Sequence, residues 1–264
     1  MRIAVAGKGG AGKTTISATL ARLGARSGLS VVAIDADANP NLGVALGVSP
    51  DLARSVRAIP SGLVSRRLGG AGLNSPVEDV LDSYAVTAPD GVRLLAMGAP
   101  AHAEEGCLCS AHAVVSAVIE DLGDDPNRLV VVDMEASPEH LSRGTIRHVD
   151  VVCLVAEPYY RSLETVARMA ALAAELPVAI LVVANKVRSN ADSEAITEFC
   201  VRHDLTLAGA VPWSDEVGAA DRARTATIDW PAAQPVAAAI SALRLGITST
   251  AEPEGAICAS ASRP

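Results

Sequence analysis

The sequence predicts an α/β protein, a doubly wound and mostly parallel sheet with helices on both faces. Three observations predict it. Short runs of Val, Leu, Ile and Ala alternate along the chain with longer segments whose apolar residues recur at helical spacing. Half of the residues are apolar yet only 2% are aromatic, a balance that suits a Val/Leu-rich sheet buried under Ala-rich helices. Glycines or carboxylates follow the apolar runs, at the strand ends where open α/β sheets bind ligands. With 264 residues the chain can build one large domain and a sizeable core.

The elements follow in order. Arg2–Ala6 is an apolar run that reads as a buried strand, and Ile16, Leu20 and Leu23 recur at helical spacing. Between them lies Gly7-Lys8-Gly9-Gly10-Ala11-Gly12-Lys13-Thr14-Thr15. Strand, glycine loop and helix in that order are the context of a phosphate-binding P-loop. Its glycines let the backbone from Gly9 to Thr15 curl so that N–H groups point at phosphate oxygens, and the helix N-terminus adds its positive end. Lys13 is expected to reach the β/γ-phosphates and the Thr14 hydroxyl to bind Mg²⁺.

Leu29–Ile34 reads as the next strand and ends in Asp35-Ala36-Asp37-Ala38-Asn39-Pro40-Asn41. Carboxylates there face the ligand crevice and can orient a water beside a terminal phosphate; Asn39 or Asn41 also suits a cap for a helix over 41–46. Residues 49–90, rich in Pro, Gly, Arg and Ser, read as an irregular insertion with a short helix over 77–84. Val92–Met97 is a further strand. After residues 98–109 a helix is expected with Ser110 as N-cap and an apolar stripe of Val114, Val115, Val118, Ile119 and Leu122.

Cys107 and Cys109 thus fall at or just before a helix N-terminus, which favours the metal-binding thiolate. A closed zinc-type site needs four ligands. A twofold dimer with this loop at its interface supplies four thiolates; alternatively His102 or His112 completes a site within one chain.

Leu129–Asp133 is a strand ending in a carboxylate placed to hold the Mg²⁺ shell, followed by the polar stretch Met134–Thr145. Asp150–Ala156, a helix over 163–176, Val178–Ala184, Leu205–Val211 and a helix over 236–245 complete the alternation. Asn185-Lys186-Val187 follows one strand without the later aspartate of the guanine-reading pattern NKxD, which favours ATP over GTP. The domain is expected over 1–246, and 247–264, rich in Ser, Ala, Thr, Pro and Glu, reads as a disordered tail. Cys258 lies in that tail, whereas Cys153 and Cys200 fall on apolar faces and are expected in the core.

A net charge of −8 argues against a general nucleic-acid surface. Arg54, Arg57, Arg66 and Arg67 cluster in one stretch and read as a solvated face. No apolar run approaches the ~20 residues of a membrane span. With no signal segment ahead of the first strand, a cytoplasmic location with reduced cysteines is expected.

From Lys8 to Thr14 the chain resembles the deviant Walker A motif, KGGxGKT, of the family that includes the nitrogenase iron protein, MinD, ParA and the arsenite pump ATPase. That resemblance implies a P-loop NTPase of the MinD/ParA type with ATP and Mg²⁺, and a homodimer in which Lys8 crosses to the partner's ATP. It implies that Asp37 positions the attacking water, that Asp35 supports it, that Asn185 holds the adenine and that the loop at Pro212 packs on the base's other side. Two further stretches are narrower. Gly106-Cys107-Leu108-Cys109 before a helix is similar to the GCxC loop of CooC-type nickel-insertion ATPases, which mature nickel-containing carbon monoxide dehydrogenase. Asp133–Thr145 resembles their switch II, DMEAGxEHLGRGT, with Ser137 and Ser142 in place of glycines. The resemblance implies Lys8, Lys13 and Asp37 in hydrolysis, Thr14 and Asp133 on Mg²⁺, and Cys107 and Cys109 on Ni²⁺ or Zn²⁺ as cargo for a client metalloenzyme. A competing reading is a ParA/MinD-like switch that acts by binding partners, for which both cysteines are dispensable.

Overall fold

The computed structural model describes residues 1–67, 70–97, 109–123, 125–136 and 145–251. Its centre is an eight-stranded sheet in the order β10-β9-β8-β1-β7-β2-β6-β5. The strands are β1 (Arg2–Gly7), β2 (Ser30–Ala36), β5 (Val86–Thr87), β6 (Arg93–Ala96), β7 (Arg128–Met134), β8 (Val151–Ala156), β9 (Ala179–Val187) and β10 (Thr206–Pro212). Every pairing is parallel except that of β5 with β6.

Period-2 alternation of apolar residues builds a core on each side of this sheet. Ala4, Ala6, Val32, Ile34, Val152 and Leu154 face one way. Ile3, Val5, Val31, Ala33, Val151 and Val155 face the other. The first face is covered by α5 (Cys109–Asp121), α6 (Tyr160–Ala173) and α7 (Asn190–Arg202), through Val114, Val118, Val166, Met169, Ile196 and Phe199. The second is covered by α1 (Lys13–Arg26) and, after the short α8 (Asp215–Arg222), by α9 (Gln234–Ala251), through Ile16, Leu20, Ile240 and Leu243. This is the doubly wound arrangement expected from the alternation of strand and helix.

The chain moves from β1 towards β2 on one side and from β8 towards β10 on the other, so the ligand crevice falls at the carboxyl end of β1. Asp35 and Asp133 are directly paired across β2 and β7, and Asp133 is paired with Val5 of β1. Neighbouring strands therefore deliver two carboxylates to the mouth of the glycine loop.

Several expectations change in detail. The insertion holds more regular structure than its composition suggests: α2 (Leu42–Ala45) precedes it, and α3 (Pro50–Ser55), the hairpin β3 (Val64–Arg67) with β4 (Gly70–Leu73) and α4 (Val77–Tyr84) lie within it. Ser110 is not the N-cap of α5, because the helix already includes Cys109. β9 runs beyond the expected Ala184 to include Asn185, Lys186 and Val187, since β10 runs alongside as far as the pairing of Pro212 with Val187. The final helix reaches Ala251 and buries Ile247 completely, so the expected tail yields its first residues to the fold. Among the described residues no helix is long and apolar enough to cross a membrane. Cys153 and Cys200 are core residues, and full burial pushes the Cys153 thiol up to about 12.

Candidate nucleotide-binding site

The glycine loop is shaped by bonds to its own carbonyls. Ala11 N–H donates to the Lys8 carbonyl at 3.1 Å, and the Lys13 ammonium reaches the same oxygen at 3.4 Å. Asn185 Nδ2 donates to the Ala11 carbonyl at 2.6 Å and Lys186 Nζ to the Gly10 carbonyl at 2.5 Å. In a trans peptide the N–H points opposite to the carbonyl, so fixing the Ala11 oxygen turns the Gly12 N–H the other way, into the loop. Gly12 has φ 98°, and a Cβ there would lie 2.3 Å from Asn185 Nδ2. Glycine is required twice at that position, for backbone freedom and for space.

At the start of α1, Lys13 is buried and its pKa is lowered by desolvation, opposed by the charges of Asp133, Asp37 and Glu135. Asp133 is buried as well. Burial pushes its carboxyl up to about 6, although hydroxyl bonds from Thr14 and Ser17 and the charge of Lys13 pull it down. Ser17 Oγ donates to Asp133 Oδ1 at 3.0 Å. Around one lysine the site thus gathers several carboxylates and two hydroxyls, a set of hard oxygen donors that fits a divalent cation such as Mg²⁺. Thr14 and Asp133, hydrogen-bonded to each other, would be the residues to hold it.

Asp35 and Asp37 take different parts. Asp35 is buried, and its carboxylate accepts the Asp37 N–H at 3.2 Å and the Leu42 N–H at 2.8 Å, clamping the loop that follows β2. Burial pushes it up to about 7. Asp37 is half-buried, accepts the Asn39 N–H at 2.8 Å and faces Lys13 and Asp133 electrostatically.

On the other side of the loop opens a cavity of about 350 Å³ lined by Gly12, Thr15, Asn185, Pro212, Trp213 and Val236, among others. Trp213 forms one wall, with the Arg188 guanidinium 3.9 Å from its ring centre. A mostly apolar slot beside a phosphate loop, with the Asn185 amide at its edge, is chemically suited to a flat heteroaromatic base.

The structure places Lys8, Lys13, Thr14 and Thr15 on the glycine loop and the start of α1, Asp37 and Asp133 within electrostatic reach of Lys13, and Thr15, Asn185 and Pro212 along the cavity on the loop's other side. Gly9 and Gly10 are exposed on the loop's outer rim. Cys107, His102 and the stretch 137–144 lie outside the described residues; Cys109 is the first residue of α5, and its side chain is likewise outside them. His112 is buried and turned to Thr145, with Nδ1 3.1 Å from Thr145 Oγ1. Among the described residues no group of three or more His, Cys, Asp or Glu is placed to hold a metal ion.

Sequence reasoning missed Ser17, Glu157, Tyr159 and the ties made by Lys186. Ser17 had a signal, a hydroxyl one turn after Lys13 on the helix face turned to the sheet. Glu157 follows β8 and pairs with Lys186 at 2.9 Å, a contact that no local spacing foretells.

Comparison with known proteins agrees with this geometry. Residues 3–226 match the CobQ/CobB/MinD/ParA nucleotide binding domain. The chain belongs to that family. It is 38% identical over 256 residues to the carbon monoxide dehydrogenase accessory protein CooC of Rhodospirillum rubrum, covering 93% of this chain and 96% of that protein. It is also 35% identical to an ATP-binding protein of Methanocaldococcus jannaschii over 82% of this chain and 87% of the relative. Within the family it is therefore a CooC-type ATPase. In fold it resembles the septum site-determining protein MinD of Pyrococcus horikoshii, solved with Mg-ADP. The TM-score is 0.72 at 20% identity, over 97% of this chain and 99% of that one. The cell division ATPase MinD of Pyrococcus furiosus gives 0.71 at 24% identity, over 94% and 98%.

Proposed function

We propose that this ATPase is a metallochaperone whose dimer holds Ni²⁺ or Zn²⁺ between Cys107 and Cys109 of two chains and delivers the metal to a client enzyme, a nickel carbon monoxide dehydrogenase. The observation that carries the reading is the 38% identity, over almost the full length of both chains, to a carbon monoxide dehydrogenase accessory protein. In this reading Lys13 and the loop amides bind the phosphates, Thr14 and Asp133 hold Mg²⁺, Asp37 orients the attacking water and Lys8 reaches the partner's nucleotide. Mg²⁺ supplies charge neutralisation at the phosphates; the remainder of catalysis is positioning by the chain's own groups.

Coupling requires that metal affinity differ between nucleotide states, because a ligand that binds two states equally shifts neither. The packing of α5 supports such coupling. Cys109 opens this helix, and His112, a turn later, bonds Thr145 at the end of the stretch that resembles switch II.

The test is metal content per dimer after loading with Ni²⁺ or Zn²⁺, in the natural chain and in a Cys107→Ser/Cys109→Ser double variant. One metal per dimer, lost in the variant with ATP hydrolysis retained, is the expected result. Equal metal in both proteins would sink the cysteine site. No specific metal in either would leave a partner-binding switch of the MinD/ParA kind.

A further inference from the structure

We propose that Tyr159 is a positioning residue for Lys8, its ring holding the lysine at the mouth of the nucleotide site. The proposal rests on the reading that Lys8 acts on a partner's nucleotide, and adds the group that prepares it.

Lys8 Nζ stands 5.6 Å from the centre of the Tyr159 ring. A lysine has a flexible four-carbon stem, whereas this tyrosine is tied down at its backbone and at its hydroxyl. Tyr159 caps α6: its carbonyl accepts the N–H groups of Ser162 at 3.0 Å and Leu163 at 3.2 Å. Its own N–H donates to the Glu157 carbonyl at 2.8 Å, and its hydroxyl donates to Glu157 Oε2 at 2.7 Å. Glu157 is itself buried and held by Lys186, which is tied to the Gly10 carbonyl of the same loop that carries Lys8. A closed circuit therefore runs from the loop through Lys186, Glu157 and Tyr159 back to Lys8.

Packing does not account for the ring. Tyr159 belongs to neither face of the core and is 42% exposed. What the ring presents is an electron-rich face to a cation, an interaction that confines the ammonium and still lets it be drawn away by phosphate charge. The bond to Glu157 pushes the phenol up to about 12, so the hydroxyl remains a donor throughout the working pH range.

The experiment compares steady-state ATP hydrolysis of the natural chain with Tyr159→Leu, Tyr159→Phe, Lys8→Ala and Lys8→Ala/Tyr159→Leu, all at one protein concentration and with matched thermal midpoints. Tyr159→Leu is expected to lower kcat about two- to fivefold, part of the rotamer entropy of a freed lysine stem that must then be gathered for each turnover, with KM for ATP unchanged. Tyr159→Phe, which keeps the ring, should restore most of that loss. In the Lys8→Ala background the Tyr159→Leu change should have no further effect. An equal loss in both backgrounds would mean a general structural role and overturn the proposal. Full activity in Tyr159→Leu beside a damaged Lys8→Ala would overturn it while leaving the Lys8 reading intact. Full activity in Lys8→Ala would sink that reading itself, and this proposal with it.

Discussion

At the scale of single residues, Asp35 shows how burial and function pull on one carboxyl. It clamps the loop bearing Asp37 through two backbone N–H groups, yet burial pushes it up to about 7 from 3.8. Between those values the folded chain holds a proton that the unfolded chain has released. Stability from this group is therefore fully present below about pH 4 and is lost as pH rises towards 7. The loss is at most about 4 kcal/mol across the window. Asp133, pushed up to about 6, contributes in the same direction. Asp35→Asn should flatten the fall in urea-unfolding stability between pH 4 and pH 7, while giving up one of the two N–H acceptors. An unchanged slope in that variant would show that Asp35 titrates near its ordinary value.

At the scale of elements, the glycine loop and the end of β9 act together. Gly10 and Gly12 both have positive φ, 80° and 98°, but a Cβ on Gly10 meets nothing within 4 Å, whereas one on Gly12 strikes the Asn185 amide. Gly10→Ala should thus carry only the left-handed strain, about 1–2 kcal/mol. Gly12→Ala adds the loss of the Asn185–Ala11 bond, about 1 kcal/mol more. Titration with a fluorescent ATP analogue should rank affinity as natural chain, Gly10→Ala, then Gly12→Ala. The reverse order of the two variants would mean that Asn185 does not hold the loop.

Much of this was legible in the sequence. The loop, its flanking strand and helix, and both carboxylates announce themselves by local spacing, and the buried strands by unbroken apolar runs. The hairpin of β3 and β4 was not legible, because arginine and glycine in 64–73 carry no alternation of apolar with polar. Nor was the chain of contacts from Glu157 through Lys186 to Gly10, which joins segments 29 and 176 residues apart. Periodicity reports what a residue does for its own element; it says nothing of which distant carbonyl a lysine will find.

At the scale of the whole molecule, a second polar cluster ties regions that the sequence presents as unrelated. Arg22 of α1 is buried and donates to Asp90 in the insertion at 2.5 Å, to the Leu46 carbonyl at 2.7 Å and to Asp229 ahead of α9 at 3.1 Å. Arg26 pairs with the same two aspartates. Arg22→Ala leaves those aspartates partly compensated by Arg26, so the expected loss lies at the low end of broken buried pairs, about 3 kcal/mol. Urea unfolding would measure it, and a loss within error of zero would mean that Arg26 alone suffices.

The ties from Asn185 and Lys186 to the glycine loop have one more consequence. They join the apolar cavity to the glycine loop, which in the proposed reading makes one handle of the slot for the base and the cradle for the first phosphates, while Asp35 and Asp37 stand on a separate loop. A nucleotide can be gripped by its handle whether or not a third phosphate is attached. The power to tell fuel from ash must then reside in the opposite wall.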